Sequence, residues 1–278
     1  MTDADTHAGD VVALPDREYD VYAFDLDGTI YLGDDLLPGA REVVEAVRDR
    51  GRVVRFLSNN PTKDPEQYAD KLQRLGLPTP LEEIVNTTVT TTRWLLEHAP
   101  GAVVFPIAEE PLKRAFADAG IAMSDDPAEI DVVVSSFDRG FEYRKLQIAF
   151  DALWLHRRAR LIATNPDPFC PMPGGRGEPD CAAITAAIEA CTGVRCEAHL
   201  GKPDPAMLHT ALDGVDAAMA DCVMIGDRMG TDIRMGLDAG MASALVLTGE
   251  TTADDVRAMA AADRPPIVLD RIDRLLPG

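Results

Sequence analysis

Two aspartates one residue apart, Asp25 and Asp27, follow the apolar stretch "VYAF" and lead into Gly28-Thr29. Like charges this close repel each other unless a positive charge lies between them. One explanation is an ordinary turn after a strand, since Asp and Gly both favour turns. The other is a metal site, in which a divalent cation lets both carboxylates stay ionised.

Three more segments end an apolar run in small polar or charged residues: "VVRFLSNNPT", "EAHLGKPDP" and "CVMIGDRMGTDI". In an open parallel sheet the carboxyl ends of the strands lie along one edge, where ligands bind. If all four segments belong to one sheet, that edge collects Asp25, Asp27, Ser58, Asn59, Lys202, Asp227 and Asp232. Carboxylates, a hydroxyl, an amide and a lysine in one place suit Mg²⁺ and a phosphate group.

Each segment also has an ordinary structural explanation when it is taken alone. "SNNPT" is typical of a loop or a helix N-cap, and the lysine of "GKPDP" can simply be solvated. "GDRMGTD" can begin a helix whose dipole favours Asp232. All of these explanations would have to hold together, each directly after a strand. The shared position therefore favours a metal and phosphate site.

The chain that positions these side chains alternates strand-like and helix-like segments. Strands at "VYAF", "VVRFLS", "CVMIGD" and "ASALVLT" alternate with helices such as 38–51, whose apolar residues at 40, 43, 44 and 47 have helical spacing. This alternation predicts an α/β fold with a parallel sheet covered on both faces. The middle of the chain repeats the pattern and predicts a second, smaller α/β layer.

The segment "NPDPFCPMPGGRGEPD" (165–180) contains five prolines and three glycines. Residues of these types break helices and strands, so we expect no regular structure here. A long irregular segment in a compact region is typical of a functional or mobile loop.

Charge and composition exclude several classes of function. With 47 acidic and 27 basic residues, a net charge of −20 disfavours binding to nucleic acid and to anionic membranes. The apolar runs are too short to cross a bilayer.

The acidic start predicts a disordered tail over 1–17 and is unlike a signal or transit peptide, so we expect a cytoplasmic protein. The acidic excess also predicts a halophilic source, with a merely acidic protein as the alternative.

The five cysteines form no C-x-x-C pair. Cys191 and Cys196 with His199 have a spacing that matches no common structural zinc site. We therefore expect buried thiols.

Taken together, the four segments resemble the haloacid-dehalogenase-like (HAD) hydrolases, and among them subfamily IIA, which includes NagD-type, p-nitrophenyl and phosphoglycolate phosphatases. "DLDGTIYLG", "SNN", "GKP" and "GDRMGTDI" match the four family motifs in order. The resemblance runs from about residue 19 to 270. It implies a Rossmann-like parallel core at 18–82 and 197–278, with an α/β cap of type C2 at 83–196.

The resemblance also implies the chemistry of a phosphoric monoester hydrolase. Asp25 is the expected nucleophile, which forms an aspartyl-phosphate, and Asp27 is the expected general acid and base. A dehalogenase would have no use for the second acid. A phosphomutase of this superfamily would carry a cap between the first two motifs, where this chain has no room for one. A non-catalytic phosphate-binding or regulatory protein is the remaining alternative.

Mg²⁺ is the implied cofactor, held by Asp25, the backbone carbonyl of Asp27, and Asp227. Asp232 is expected to orient Lys202 or a metal-bound water. The residues expected to bind the phosphoryl oxygens are Ser58, Asn59 and Lys202.

The cap segment departs from the family pattern in two places. Pro179–Ala182 replaces a glycine-rich step, and Cys170 stands where some relatives have a histidine. Asn60, Asn165, Asp167 and Cys170 are candidates for substrate or cap–core contacts, with a simple turn as the alternative for "NPD". The partner is expected to be a small phosphorylated metabolite: phosphoglycolate, a sugar or polyol phosphate, a nucleoside monophosphate or pyridoxal phosphate. A homodimer through the cap is a further hypothesis.

Overall fold

The computed structural model describes residues 9–172 and 175–277, which form two units. The first contains the chain up to Leu57, Ala69–Ile84, and the chain from Ala211 on; the second contains Ser58–Tyr68 and Val85–Thr210. These boundaries differ from the predicted core and cap at 58–68 and at 197–210, and by two residues at 83–84. The second difference arises because Leu200 is buried in the apolar core of the second unit.

The strands, in chain order, are β1 Val21–Asp25, β2 Tyr31–Leu32, β3 Asp35–Leu36, β4 Val53–Ser58, β5 Ile84–Asn86, β6 Val104–Ile107, β7 Val132–Ser135, β8 Arg160–Ala163, β9 Phe169–Met172, β10 Arg176–Pro179, β11 Cys222–Gly226, β12 Ala242–Val246 and β13 Ile267–Leu269. The helices are α1 Ala40–Asp49, α2 Pro65–Arg74, α3 Thr87–His98, α4 Glu110–Asp118, α5 Tyr143–Phe150, α6 Cys181–Thr192, α7 Ala206–Ala211, α8 Arg234–Asp238 and α9 Ala253–Ala258. Within the described ranges, no helix combines the length and the apolar character needed to span a membrane.

A six-stranded sheet runs through the first unit in the order β13-β12-β11-β1-β4-β5. Neighbouring strands from β13 to β4 are parallel. Every residue of β1 and β11 is buried, as expected for strands covered on both faces. The predicted parallel α/β fold is confirmed.

Helix α1 follows directly from its sequence pattern. Ala40, Val43, Val44 and Val47 are buried on one side of the helix, because residues three and four apart share a helix face. The chain leaves the helix at Gly51, whose φ of 68° lies in the left-handed region that glycine tolerates.

The predicted disordered tail over 1–17 is wrong for part of its length. Ala13 forms an antiparallel bridge with Val268, and Val11 is buried in a cluster with Leu245 and Val256. Burial of the valine side chain and hydrogen bonding to the edge strand β13 order this segment, although its acidic composition favours disorder. Residues 1–8 of the predicted tail lie outside the described residues.

The second unit is built on a three-stranded parallel sheet in the order β6-β7-β8. Successive residues of β7 alternate between two apolar clusters: Val133 packs with residues of α5 and α6, and Val132 and Val134 pack with residues of α3 and α4. Side chains of a strand point alternately to opposite faces, so helices cover both sides of this sheet.

The prediction that 165–180 has no regular structure is wrong in part. Strands β9 and β10 form an antiparallel hairpin, with Cys170 opposite Glu178. Proline is tolerated because a two-stranded hairpin has only edge strands, where a missing N–H need not break a ladder. Residues 173 and 174 of this segment lie outside the described residues.

Candidate active site

The carboxyl edge of the six-stranded sheet carries the candidate site of the first unit. β1 ends at Asp25, and its neighbour β11 ends at Gly226, directly before Asp227. Phe24 pairs with Ile225 across the two strands, which places both aspartates at the same end of the sheet. Open α/β sheets bind their ligands in this position.

Three carboxylates meet at this edge. One side-chain oxygen from each of Asp25, Asp227 and Asp232 lies within 4.8 Å of those of the other two. Their fractional exposures are 9%, 3% and 0%, respectively. Buried carboxylates so close together repel one another unless a cation lies among them. An oxygen-only set of donors suits a hard divalent ion such as Mg²⁺, so the residues present fit a metal site.

Asp227 is held by the loop that follows β12. The N–H of Glu250 donates to its Oδ2 at 2.6 Å, and the N–H of Thr251 donates to its backbone carbonyl at 3.2 Å. A Cβ on Gly28 would lie 2.6 Å from the same Oδ2, and a Cβ on Gly249 would also overlap the carboxylate. Gly249 and Glu250 were not predicted from the sequence, although they stand shortly after the apolar run that forms β12.

Asp232 lies on a π-helical turn, Met229–Ile233, and its Oδ2 accepts a hydrogen bond from the N–H of Arg228 at 3.1 Å. Its side chain packs so closely against Gly226 that a Cβ there would overlap it. The sequence predicts that Asp232 orients Lys202 or a metal-bound water. The structure adds its carboxylate to the set that can bind a cation.

Asp27 differs from these three aspartates because it is exposed to solvent. The hydroxyl of Tyr31 donates to its Oδ2 at 3.3 Å. The turn is closed by the N–H of Gly28, which donates to the carbonyl of Tyr31 at 2.8 Å, and the Thr248 hydroxyl donates to the Gly28 carbonyl at 2.6 Å. Tyr31 and Thr248 were not singled out from the sequence, because their contacts depend on the folded turn.

In the second unit, the Asn59 side chain binds the backbone of Lys202, a residue with only 3% exposure. Its Oδ1 accepts from the N–H of Lys202 at 2.7 Å, and its Nδ2 donates to the Lys202 carbonyl at 3.0 Å and to Asp167 Oδ2 at 2.8 Å. Gly201 permits this approach, since a Cβ there would lie 2.6 Å from Asn59 Oδ1. The amide expected to donate to phosphoryl oxygens therefore donates to Lys202 and Asp167, which positions the lysine loop.

Asn165 is fully buried and lies just before the β9–β10 hairpin. Its Nδ2 donates to the Asn59 carbonyl at 3.0 Å and to Asp180 Oδ1 at 3.4 Å. Asp180 in turn caps α6 by accepting from the N–H of Cys181 at 2.5 Å. The "NPD" segment is thus more than a simple turn, and the contacts of Asn165 and Asp167 described here lie within the second unit.

The remaining predicted residues also lie in the second unit. The Ser58 hydroxyl is hydrogen-bonded to the Tyr68 hydroxyl at 3.0 Å and accepts from the N–H of Asn60 at 3.3 Å. Asn60 Oδ1 accepts from the N–H of Thr62 at 2.9 Å, which closes a turn. Cys170 lies partly exposed on strand β9.

The cysteines are buried to different degrees. Burial raises the pKa of Cys196 to about 12 and also raises the pKa of the fully buried Cys181 thiol. A raised pKa disfavours the thiolate, which is the reactive and metal-binding form. The expectation of buried thiols is confirmed for Cys181 and Cys222, holds only in part for Cys170 and Cys196, and is wrong for Cys191, which is exposed in the last turn of α6.

Comparisons with known proteins agree with the motif pattern. One family model, described as haloacid dehalogenase-like hydrolase, matches residues 22–122, and a second, HAD-hydrolase-like, matches residues 199–275. An acid sugar phosphatase of Staphylococcus aureus is 34% identical over 241 residues, which cover 87% of this chain and 91% of that protein. The chain belongs to the haloacid dehalogenase-like hydrolase family.

Solved structures show which members of the family this chain resembles. A 4-nitrophenylphosphatase from Thermotoga maritima matches with a TM-score of 0.86 and 32% identity over 92% of this chain and 96% of that chain. NagD from Escherichia coli K-12 matches with a TM-score of 0.81 and 26% identity over 92% and 98%. The HAD fold, the NagD-type branch and the phosphatase class predicted from the motifs are confirmed.

Proposed function

We propose that this HAD hydrolase is a Mg²⁺-dependent phosphatase of small phosphate monoesters, such as sugar or polyol phosphates or phosphoglycolate, and that it works through an aspartyl-phosphate. The observation that carries the proposal is the group of three carboxylates at the sheet edge. Two relatives named acid sugar phosphatase and 4-nitrophenylphosphatase support the class of substrate.

The proposed reaction consists of two displacements at phosphorus. In the first, a carboxylate oxygen of Asp25 bonds to phosphorus while the bond to the ester oxygen breaks, and Asp27 gives its proton to that leaving oxygen. In the second, water bonds to phosphorus while the bond to Asp25 breaks, and Asp27 takes a proton from the water. Inorganic phosphate leaves, and both aspartates return to their starting states.

The metal site would use Asp25, Asp227 and the backbone carbonyl of Asp27, with the Asp232 carboxylate in the same group. When bound, Mg²⁺ offsets the charge that develops on the phosphoryl oxygens. The close packing of Asp227 against backbone keeps that carboxylate in one orientation before any ligand arrives.

The phosphoryl oxygens would be bound by Ser58 and by the ammonium group of Lys202, with Asn59 as the third member of the predicted set. The hydrogen bonds from the Asn59 side chain to the Lys202 backbone support a role in fixing the lysine. Nucleoside monophosphates and pyridoxal phosphate are alternative substrates that differ only in the leaving group.

The purified chain should hydrolyse p-nitrophenyl phosphate and at least one small ester of a panel that includes glycerol phosphate, phosphoglycolate and nucleoside monophosphates. EDTA should abolish turnover and added Mg²⁺ should restore it. Because the nucleophile is lost, Asp25→Asn should lower kcat by about a thousandfold or more. The matched control is Asp34→Asn, which neutralises an exposed carboxylate in the same segment and should keep wild-type turnover. Full activity in Asp25→Asn, or indifference to EDTA, would refute the proposed function.

A further inference from the structure

Tyr31 is a fully buried residue whose hydroxyl reaches an exposed carboxylate. Its side chain has 0% exposure, whereas Asp27 faces solvent. The hydrogen bond from the Tyr31 hydroxyl to Asp27 Oδ2 is 3.3 Å long. It therefore fixes one oxygen of the Asp27 carboxylate from the protein side.

The backbone ties the same two residues together. The N–H of Gly28 donates to the Tyr31 carbonyl at 2.8 Å, and the N–H of Tyr31 donates to the Leu26 carbonyl at 3.2 Å. Asp27 and Tyr31 also form a β-bridge. The turn that carries Asp27 thus also determines where the Tyr31 ring begins.

A buried lysine lies over the face of the Tyr31 ring. Lys71 Nζ lies 3.5 Å from the centroid of the Tyr31 ring, and Lys71 has only 8% exposure. A cation over a ring face is attracted by the π electrons, and the attraction is stronger where water is excluded. The ammonium group therefore resists any rotation of the ring that would carry the hydroxyl away from Asp27.

We propose that Tyr31 is a positioning residue for Asp27 and that Lys71 fixes Tyr31. The proposal rests on the proposed function, in which Asp27 protonates the leaving oxygen. With Oδ2 bound by the Tyr31 hydroxyl, the acid proton is on Oδ1. The Oδ1–H bond breaks as the proton passes to the ester oxygen, and the bond between that oxygen and phosphorus breaks at the same time.

Two aryl esters of similar shape separate this role from a general structural one. p-Nitrophenolate is a stable anion and leaves without a proton, whereas phenolate is more basic and depends on the general acid. The ratio kcat/KM covers the steps up to transfer of the phosphoryl group, so it excludes the later hydrolysis of the intermediate.

Tyr31→Phe keeps the ring over Lys71 and removes the hydroxyl. We expect kcat/KM to fall about tenfold for phenyl phosphate and by less than about twofold for p-nitrophenyl phosphate. The matched control is Tyr22→Phe, which removes another buried hydroxyl, one that accepts from the N–H of Tyr19 at 3.0 Å. This control should leave the ratio between the two substrates unchanged.

Lys71→Met, alone and combined with Asp27→Asn, keeps the test decisive if Tyr31→Phe does not fold. Lys71→Met removes the cation and should give the same substrate-dependent loss. In an Asp27→Asn background, Tyr31→Phe or Lys71→Met should have no further effect. Equal losses on both esters, or no loss on either, would overturn the positioning role. A wild-type chain that hydrolyses no phosphate ester would instead overturn the proposed function and, with it, this inference.

Discussion

The position of the Asp227 carboxylate depends on two neighbouring glycines, which have no side chain. Its carboxylate packs against Gly28 and Gly249, and neither position has room for a Cβ. Asp25 and Asp227 could be predicted from the sequence because each stands directly after an apolar run. It could not reveal the two-glycine contact or the Tyr31–Asp27 hydrogen bond, because each depends on how separate turns meet in the fold.

Gly249→Ala tests the packing around Asp227. A methyl group there would displace the carboxylate, since it would overlap both the oxygen and the carbon of that group. We expect the Mg²⁺ concentration for half-maximal activity to rise by about tenfold or more, with an unchanged circular dichroism spectrum. The matched control is Gly230→Ala, where an added Cβ would meet no atom within 4 Å. Unchanged Mg²⁺ dependence in Gly249→Ala would show that the site tolerates a displaced Asp227.

Helix α1 was predicted from its sequence pattern, whereas two irregular elements were not. The spacing of apolar residues fixed α1, but α5 continues into a π-helical turn at Asp151–Leu155 that no periodicity indicated. The β9–β10 hairpin lies in a segment where proline and glycine predicted irregular structure. In both cases the packing in the folded unit outweighs local preference.

Asp180→Ala tests the link between α6 and the Asn165 side chain. The substitution removes the N-cap of α6 and the acceptor of a buried amide group. We expect the free energy of unfolding in urea to fall by about 1–2 kcal/mol. Glu142→Ala is the matched control, because Glu142 stands at the N-cap of α5 without a side-chain capping bond. Equal stability of the two variants would contradict the proposed link.

The alternation of strands and helices predicted an α/β fold with a parallel sheet and a second, smaller α/β layer. Each of the two units contains parallel strands. The exact division did not follow from the motifs, because Leu200 and its neighbours pack with the second unit. The adaptation to high salt, which rests on the net charge of −20, stays a prediction, as do the cytoplasmic location and the cap-mediated dimer.

In the proposed function, Asp25 takes the phosphoryl group while its neighbouring carboxylates hold a cation. Acid quenching during turnover of p-nitrophenyl phosphate with Mg²⁺, followed by borohydride reduction and peptide mass spectrometry, identifies the carboxyl that was phosphorylated. We predict homoserine at position 25 in the wild-type chain and none when Mg²⁺ is removed. Reduction at another aspartate, or turnover with no modified carboxyl under conditions that trap acyl phosphates, would show that Asp25 is not the nucleophile.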